Sequence, residues 1–144
     1  YYGKLTLKNP TRRNYTFAGW YKDSRYRSRV RTLTSGNYTL YAKWKKVKVS
    51  RASIKSLKRR SARKAKVYYK KVSGAKGYQI AYSTSRKFKK KQTKYKTTTS
   101  RSKTLTRLKK NRTYYVKVRA YKKDSTGKKV YGKYSKVKKV RLKR

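Results

Sequence analysis

The chain reads as an all-β protein made of two small units, and three features of the sequence carry that reading. No stretch of ten or more residues shows a clean 3.6-residue apolar stripe, so helix signals are nearly missing. The patterned segments are instead rich in Thr, Tyr and Val, whose branched and aromatic side chains pack well on a pleated surface. Turn signals recur at Asn9-Pro10, Ser35-Gly36-Asn37, Ser73-Gly74, Lys76-Gly77, Lys110-Asn111 and Ser125-Thr126-Gly127, which divides the chain into many short strands. The clearest strand lies in LKKNRTYYVKVRAY (108–121). There Tyr114, Val116, Val118 and Ala120 alternate with Tyr115, Lys117, Arg119 and Tyr121, the pattern of a strand buried on one side.

Charge sets the next constraint. The 144 residues include 50 Lys+Arg against two acids, Asp23 and Asp124, for a formal charge of +48, and Glu and His are absent. Low hydropathy with so much like charge ordinarily marks disorder. Seventeen Tyr, two Trp and two Phe argue the other way, since each aromatic side chain can bury roughly 150–250 Å². The expectation is a folded chain under electrostatic strain. Composition shifts near residues 45–50. Residues 1–46 carry 12 cations and Asp23, net +11, whereas residues 47–144 carry 38 cations and Asp124, net +37. These are the two expected domains.

With no Cys, disulfides and thiolate metal sites are excluded, and nothing is learned about redox compartment. The lack of Met predicts a fragment or a processed product, with any export signal outside it. No apolar run approaches the roughly 18 residues of a transmembrane helix.

In the first segment, YTFAGWY (15–21) and TLYAKW (39–44) closely resemble the paired signatures of the Listeria–Bacteroides repeat, the internalin B-repeat family of bacterial surface proteins. Pro10, Tyr15, Phe17, Gly19, Trp20, Tyr21, Leu40, Tyr41, Ala42 and Trp44 occupy the family's positions, over residues 5–44. The resemblance implies a small β-grasp-like unit, usually arrayed in tandem on an extracellular stalk, with Trp20 and Trp44 as structural residues. The family's opening strand and Gly-rich hairpin are not found. Fewer than about 50 residues seldom make an independent core, so this incomplete unit is expected to lean on the next domain or on a preceding repeat.

The second segment, 98 residues long, resembles a fibronectin type III domain of Gram-positive surface proteins, a seven-stranded immunoglobulin-like sandwich. Ile54 and Leu57 match the inward side of strand A. AKVYYKKV (65–72) matches strand B, with Tyr69 where the family usually has Trp. SGAKGYQIAYS (73–83) matches the B–C turn and strand C, with Tyr78, Ile80 and Tyr82 inward. Leu108 and Tyr114 match the E–F corner, which implies a Tyr114 hydroxyl bonded to backbone a few residues upstream. GKYSKVKKVRL (132–142) matches strand G.

Catalysis is argued against by elimination. General acid–base work usually needs His, Glu, Asp or Cys of tuned pKa. The two Asp are about 100 positions apart, each beside an expected turn that its side chain would cap. Metal first shells lack donors, and Gly-rich phosphate loops are absent. The expectation is no enzyme and no cofactor.

Polyanion binding is favoured by the summed field. The densest clusters are RKFKKKQTKYK (86–96), LKRRSARKAK (57–66), RLKKNR (107–112) and the tail KVKKVRLKR (136–144). The candidate binding residues are Lys87, Lys89, Lys90, Lys91, Lys94, Lys96, Arg107, Lys109, Lys110, Arg112, Lys117 and Arg119. Each cluster can also be a solvated loop. Tyr115, Lys117 and Arg119 read first as ordinary cross-strand packing, with a stacking surface for single strands as the alternative. The sequons at Asn14, Asn37 and Asn111 read as turn Asn followed by strand Thr. The expected function is a non-catalytic adhesion or cell-wall module of a surface or secreted bacterial protein. Its partners would be teichoic acid, anionic glycans, nucleic acid or an acidic protein. A nucleic-acid-binding module, a passive spacer and an engineered supercharged variant are the alternatives.

Overall fold

The computed structural model describes residues 5–33 and 36–143. The expected turn residue Ser35 and the last cation of the tail, Arg144, lie outside these. The described residues form an all-β, antiparallel architecture whose only helical piece is one 3-10 turn, Lys90–Gln92. Two compact units are present, Tyr1–Val47 with Lys123–Val130, and Lys48–Lys122 with Tyr131–Arg144.

The first unit holds β1 (Leu5–Thr6), β2 (Tyr15–Tyr21), β3 (Arg29–Val30), β4 (Thr32–Leu33) and β5 (Tyr41–Lys46). β2 is the centre of a three-stranded sheet in the order β3-β2-β5, and β1 pairs with β4. The β2–β5 register shifts between Phe17 and Gly19. Gly19 sits there at φ +126, and an added Cβ would come within 2.8 Å of Arg29 Nε, which explains the glycine in YTFAGWY. The bulge lets Phe17 meet both tryptophans edge-on, Trp20 at 5.4 Å and Trp44 at 5.6 Å between ring centroids. Trp20 Nε1 donates to the Lys8 carbonyl.

Residues 123–130 join this unit through Asp124, which is buried. Its carboxylate caps its own turn by accepting from the Thr126 and Lys128 amides. It also accepts from the Asn14 N–H at 2.8 Å and pairs with Arg13. Ser125 adds a reciprocal pair with the Arg12 backbone. Burial alone would raise the Asp124 pKa, but the Asn14 N–H, Thr126 and Arg13 outweigh it and hold the group below the ordinary carboxylate range. A pKa lowered by folding means a contribution that is present above the unfolded value of about 3.9 and lost as pH falls through the folded value. Asp124→Asn should therefore lower amide-exchange protection of Asn14 and Thr126 at pH 7. The native chain should reach the same loss only on acidification below about pH 4.

The second unit contains β6 (Ile54–Ser61), β7 (Lys64–Tyr69), β8 (Gly77–Ser83), β9 (Thr93–Thr98), β10 (Ser102–Leu105) and β11 (Thr113–Lys123, whose last residue belongs to the first unit). β12 (Lys129–Tyr131, whose first two residues belong to the first unit) and β13 (Lys138–Arg141) complete the strands. One sheet runs β10-β7-β6 and the other β12-β11-β8-β9, with β13 also paired to β11. The core between them contains Ala65, Val67 and Tyr69 of β7, Tyr78, Ile80 and Tyr82 of β8, and Tyr114, Val116, Val118 and Ala120 of β11. Ile54 and Leu57 of β6 pack against it, half-buried. Tyr69 is 1% exposed and donates its hydroxyl proton to the Ser100 carbonyl. Burial, helped by Tyr78, pushes that phenol well above its ordinary pKa.

The strand expected over residues 132–142 is interrupted: β12 and β13 are separated by residues 132–137. Ser135 explains the break. Its N–H donates to the Val118 carbonyl at 2.7 Å, while its hydroxyl, not a backbone carbonyl, accepts from the Val118 N–H at 3.0 Å. A side chain thus replaces one ladder acceptor, and the regular pairing resumes only at Lys138.

Candidate polyanion-binding site

Two sequence clusters converge at one end of the five-stranded sheet. The residues between β8 and β9 contribute Thr84, Lys91 and Gln92 to a cavity of about 140 Å³, and β9 adds Lys94. The turn before β11 supplies Arg107, Leu108 and Lys109 from the opposite side, with Tyr82 and Tyr114 completing the lining. Leu108 is 1% exposed and forms an apolar floor, and its N–H donates to the Arg63 carbonyl. The Tyr114 hydroxyl accepts from the Lys109 N–H at 2.9 Å, which fixes the turn and leaves the phenol proton free to donate. Arg107 and Asn111 both have φ +56, so the turn is held in a left-handed conformation at two non-glycine positions.

Burial, and secondarily Tyr114, raise the Tyr82 pKa, so its phenol remains a proton donor. The cavity therefore offers four cations and neutral donors. The only two carboxylates of the chain belong to the first unit, where they pair with Arg13 and Arg27. An anion entering here meets no like charge from its lining.

The remaining candidates lie elsewhere. Lys87, Lys89 and Lys90 are exposed on the segment between β8 and β9, and Lys96 is exposed on β9 opposite Ile80. Lys110 and Arg112 are exposed in the turn before β11. Lys117 and Arg119 face outward from β11 but stand between aromatic rings. The Arg119 guanidinium carbon is 3.7 Å from the Tyr131 ring centroid and 4.6 Å from that of Tyr134. Lys117 Nζ is 4.3 Å from the Tyr134 centroid and 4.2 Å from that of Phe88. The result is a ladder: Tyr131, Arg119, Tyr134, Lys117, Phe88. Gln79 Oε1 ties it together by accepting from Arg119 Nε and the Tyr134 hydroxyl. Burial, with Arg119 nearby, lowers the Lys117 pKa. These two cations already have aromatic partners worth about 0.5–2 kcal/mol each.

A second cationic hollow, of about 540 Å³, opens on the outer face of the same sheet and is lined by Arg86, Tyr115, Val137, Lys138 and Lys139. Its cations fall within two of the dense cationic clusters, but which of them meet is decided by strand register. Lys139 stands directly across from Tyr115.

Comparison with known families follows from this geometry. Residues 2–43 match the family model of the Listeria-Bacteroides repeat domain. The second unit has the fibronectin type III fold. The chain is similar to the chicken CNTN1 FN1–FN3 domains, with a TM-score of 0.57 and 20% identity over 74% of its length. The match spans 35% of that longer chain. It is also similar to the fn3 domain of human contactin 1, at 0.53 and 18% over 68% of this chain and 82% of the other. A third relative by fold is the sixth fibronectin type III domain of human fibronectin type III domain containing protein 3, at 0.53 and 16% over 69% and 90%. No curated protein matches the sequence. The chain thus carries a stretch that matches the Listeria-Bacteroides repeat model beside a fibronectin type III fold. No helix among the described residues is long and apolar enough to cross a membrane.

Proposed function

We propose that this repeat–fibronectin module works at a bacterial surface, or as part of a secreted protein, by holding anionic polymers or an acidic partner through charge. The observation that carries the reading is the meeting of Lys91, Lys94, Arg107 and Lys109 around one cavity, from clusters some fifteen residues apart, with no carboxylate in the lining. Repulsion among +48 charges works against the compact state, and a bound polyanion relieves it. Anything that binds only the folded chain stabilises it, by about 2.7 kcal/mol at a concentration one hundred times Kd. In a wall rich in teichoic acid the fold and its attachment would therefore support one another.

The test is a binding series at graded salt with teichoic acid, heparin, duplex DNA and single-stranded DNA. Affinity for teichoic acid that survives at about 150 mM salt, where screening acts over about 8 Å, supports wall association. A salt-resistant preference for single-stranded DNA would replace it with nucleic-acid binding. Silence toward all four ligands would leave a passive spacer.

A further inference from the structure

We infer that the polymer is a flexible single chain of phosphodiesters joined through a sugar or polyol, and that it bends round the end of the five-stranded sheet. In this arrangement one stretch of it occupies the Lys91–Arg107 cavity and another the Arg86–Tyr115 hollow on the other face. The inference rests on the polyanion reading and adds the shape and stiffness of the ligand.

Tyr114 and Tyr115 are successive residues of β11, and alternate side chains of a strand point to opposite faces. Tyr114 lines the cavity and Tyr115 the hollow, so the two sites sit back to back across one sheet. Strand register agrees: Ser83 pairs with Tyr115, while the preceding Tyr82 pairs with Val116 and Lys94. The connection between β8 and β9 serves both faces, with Arg86 in the hollow and Lys91 in the cavity. Between them Lys87, Lys89 and Lys90 are exposed, so the path round the sheet end is cationic throughout.

A duplex cannot follow that path. Its persistence length is about 50 nm, whereas packed sheets are only about 10 Å apart and one sheet is thinner still. A single chain turns on that scale. The hollow differs from the cavity in having apolar surface, the Tyr115 ring and Val137, which is 46% exposed. Cations beside a ring and an aliphatic side chain suit a phosphate attached to a sugar or polyol better than a bare phosphate.

The test compares poly(glycerol phosphate), a dT20 single strand and a 20-base-pair duplex on the full chain at matched phosphate concentration. Two double variants remove equal charge: Arg86→Gln with Lys139→Gln at the hollow, and Lys55→Gln with Lys71→Gln, exposed on β6 and just after β7 of the other sheet and outside the dense cationic clusters. Far-ultraviolet circular dichroism checks that both remain folded. The hollow variant should reduce the slope of log K against log salt by about 1.4 for a single chain, two contacts at about 0.7 each. It should leave the duplex slope unchanged, and the remote variant should change neither. A decrement with both single chains marks the shared phosphodiester as the recognised group, and a decrement with one alone identifies that polymer as the source. Equal decrements from the two variants, or an equal loss with duplex, would overturn the wrapped path while leaving polyanion binding standing. Failure of all three polymers to bind at about 50 mM salt would overturn both.

Discussion

Raising salt from about 50 to 200 mM should weaken binding of a single-chain polyphosphodiester about 10³-fold. The cavity and hollow together present seven cations: Lys91, Lys94, Arg107 and Lys109 in the first, and Arg86, Lys138 and Lys139 in the second. If each neutralises one phosphate, a single strand gives a slope near −5, at about 0.7 per contact. A fourfold rise in salt then costs about three decades. A smooth cationic surface without sites would engage more phosphates on longer polymers and show a slope that grows with polymer length. A slope that levels near −5 once the polymer can reach both faces supports the two sites. Fluorescence anisotropy with polymers of increasing length measures it directly.

Leu108→Ala should cost about 2–5 kcal/mol in urea unfolding of the second unit. Leu108 is 1% exposed, and the backbone around it cannot close the gap easily. Its own N–H is held by the Arg63 carbonyl and the next N–H by the Tyr114 hydroxyl, so a void would persist beneath the cavity. Leu108→Met preserves volume and should lose less than about 1.5 kcal/mol. The comparison is best made in about 0.5 M salt, where the charge of the chain is screened and the reserve of stability is larger. Because typical domains have only about 5–15 kcal/mol, the alanine variant should need markedly more salt than the native chain to stay folded. A loss under about 1 kcal/mol would mean that the turn collapses onto the space.

Much of the fold is legible in the sequence because the buried strands keep a two-residue period. Tyr114, Val116, Val118 and Ala120 announce their inward face by alternation, whereas Tyr69, Tyr78, Ile80 and Tyr82 are legible through the resemblance to a fibronectin type III domain, and all are buried. YTFAGWY and TLYAKW are legible for a different reason, as two aromatic motifs in order, and they pair as β2 and β5. What escapes notice depends on distant partners. Ser135 gives no local sign that its hydroxyl will replace a ladder carbonyl, so the last strand reads as continuous. Asp124 reads as a turn cap, which it is, but its hold on Asn14 and Arg13 cannot be seen across 110 residues. Lys117 and Arg119 look like free cations because the rings that sandwich them come from Phe88, Tyr131 and Tyr134. Charge density marks the regions around both hollows, and only register decides which cations meet.

The ladder on the outer face has a consequence for the energetics of recognition. Phe88 occupies a left-handed conformation at φ +55, an unfavourable choice for a bulky side chain. It is held there by a hydrogen bond from its N–H to the Ser85 carbonyl and by its ring on Lys117. Arg86 and Lys91 flank Phe88 in the same connection. Lysine and arginine side chains, and the loops that carry them, commonly lose freedom on binding, about 0.5–1.5 kcal/mol for each side chain immobilised. Here the backbone beneath them is already committed by a strained residue whose ring lies against the Lys117 ammonium. The entropic cost of organising the loop falls on folding, and association inherits a surface whose disorder has largely been removed.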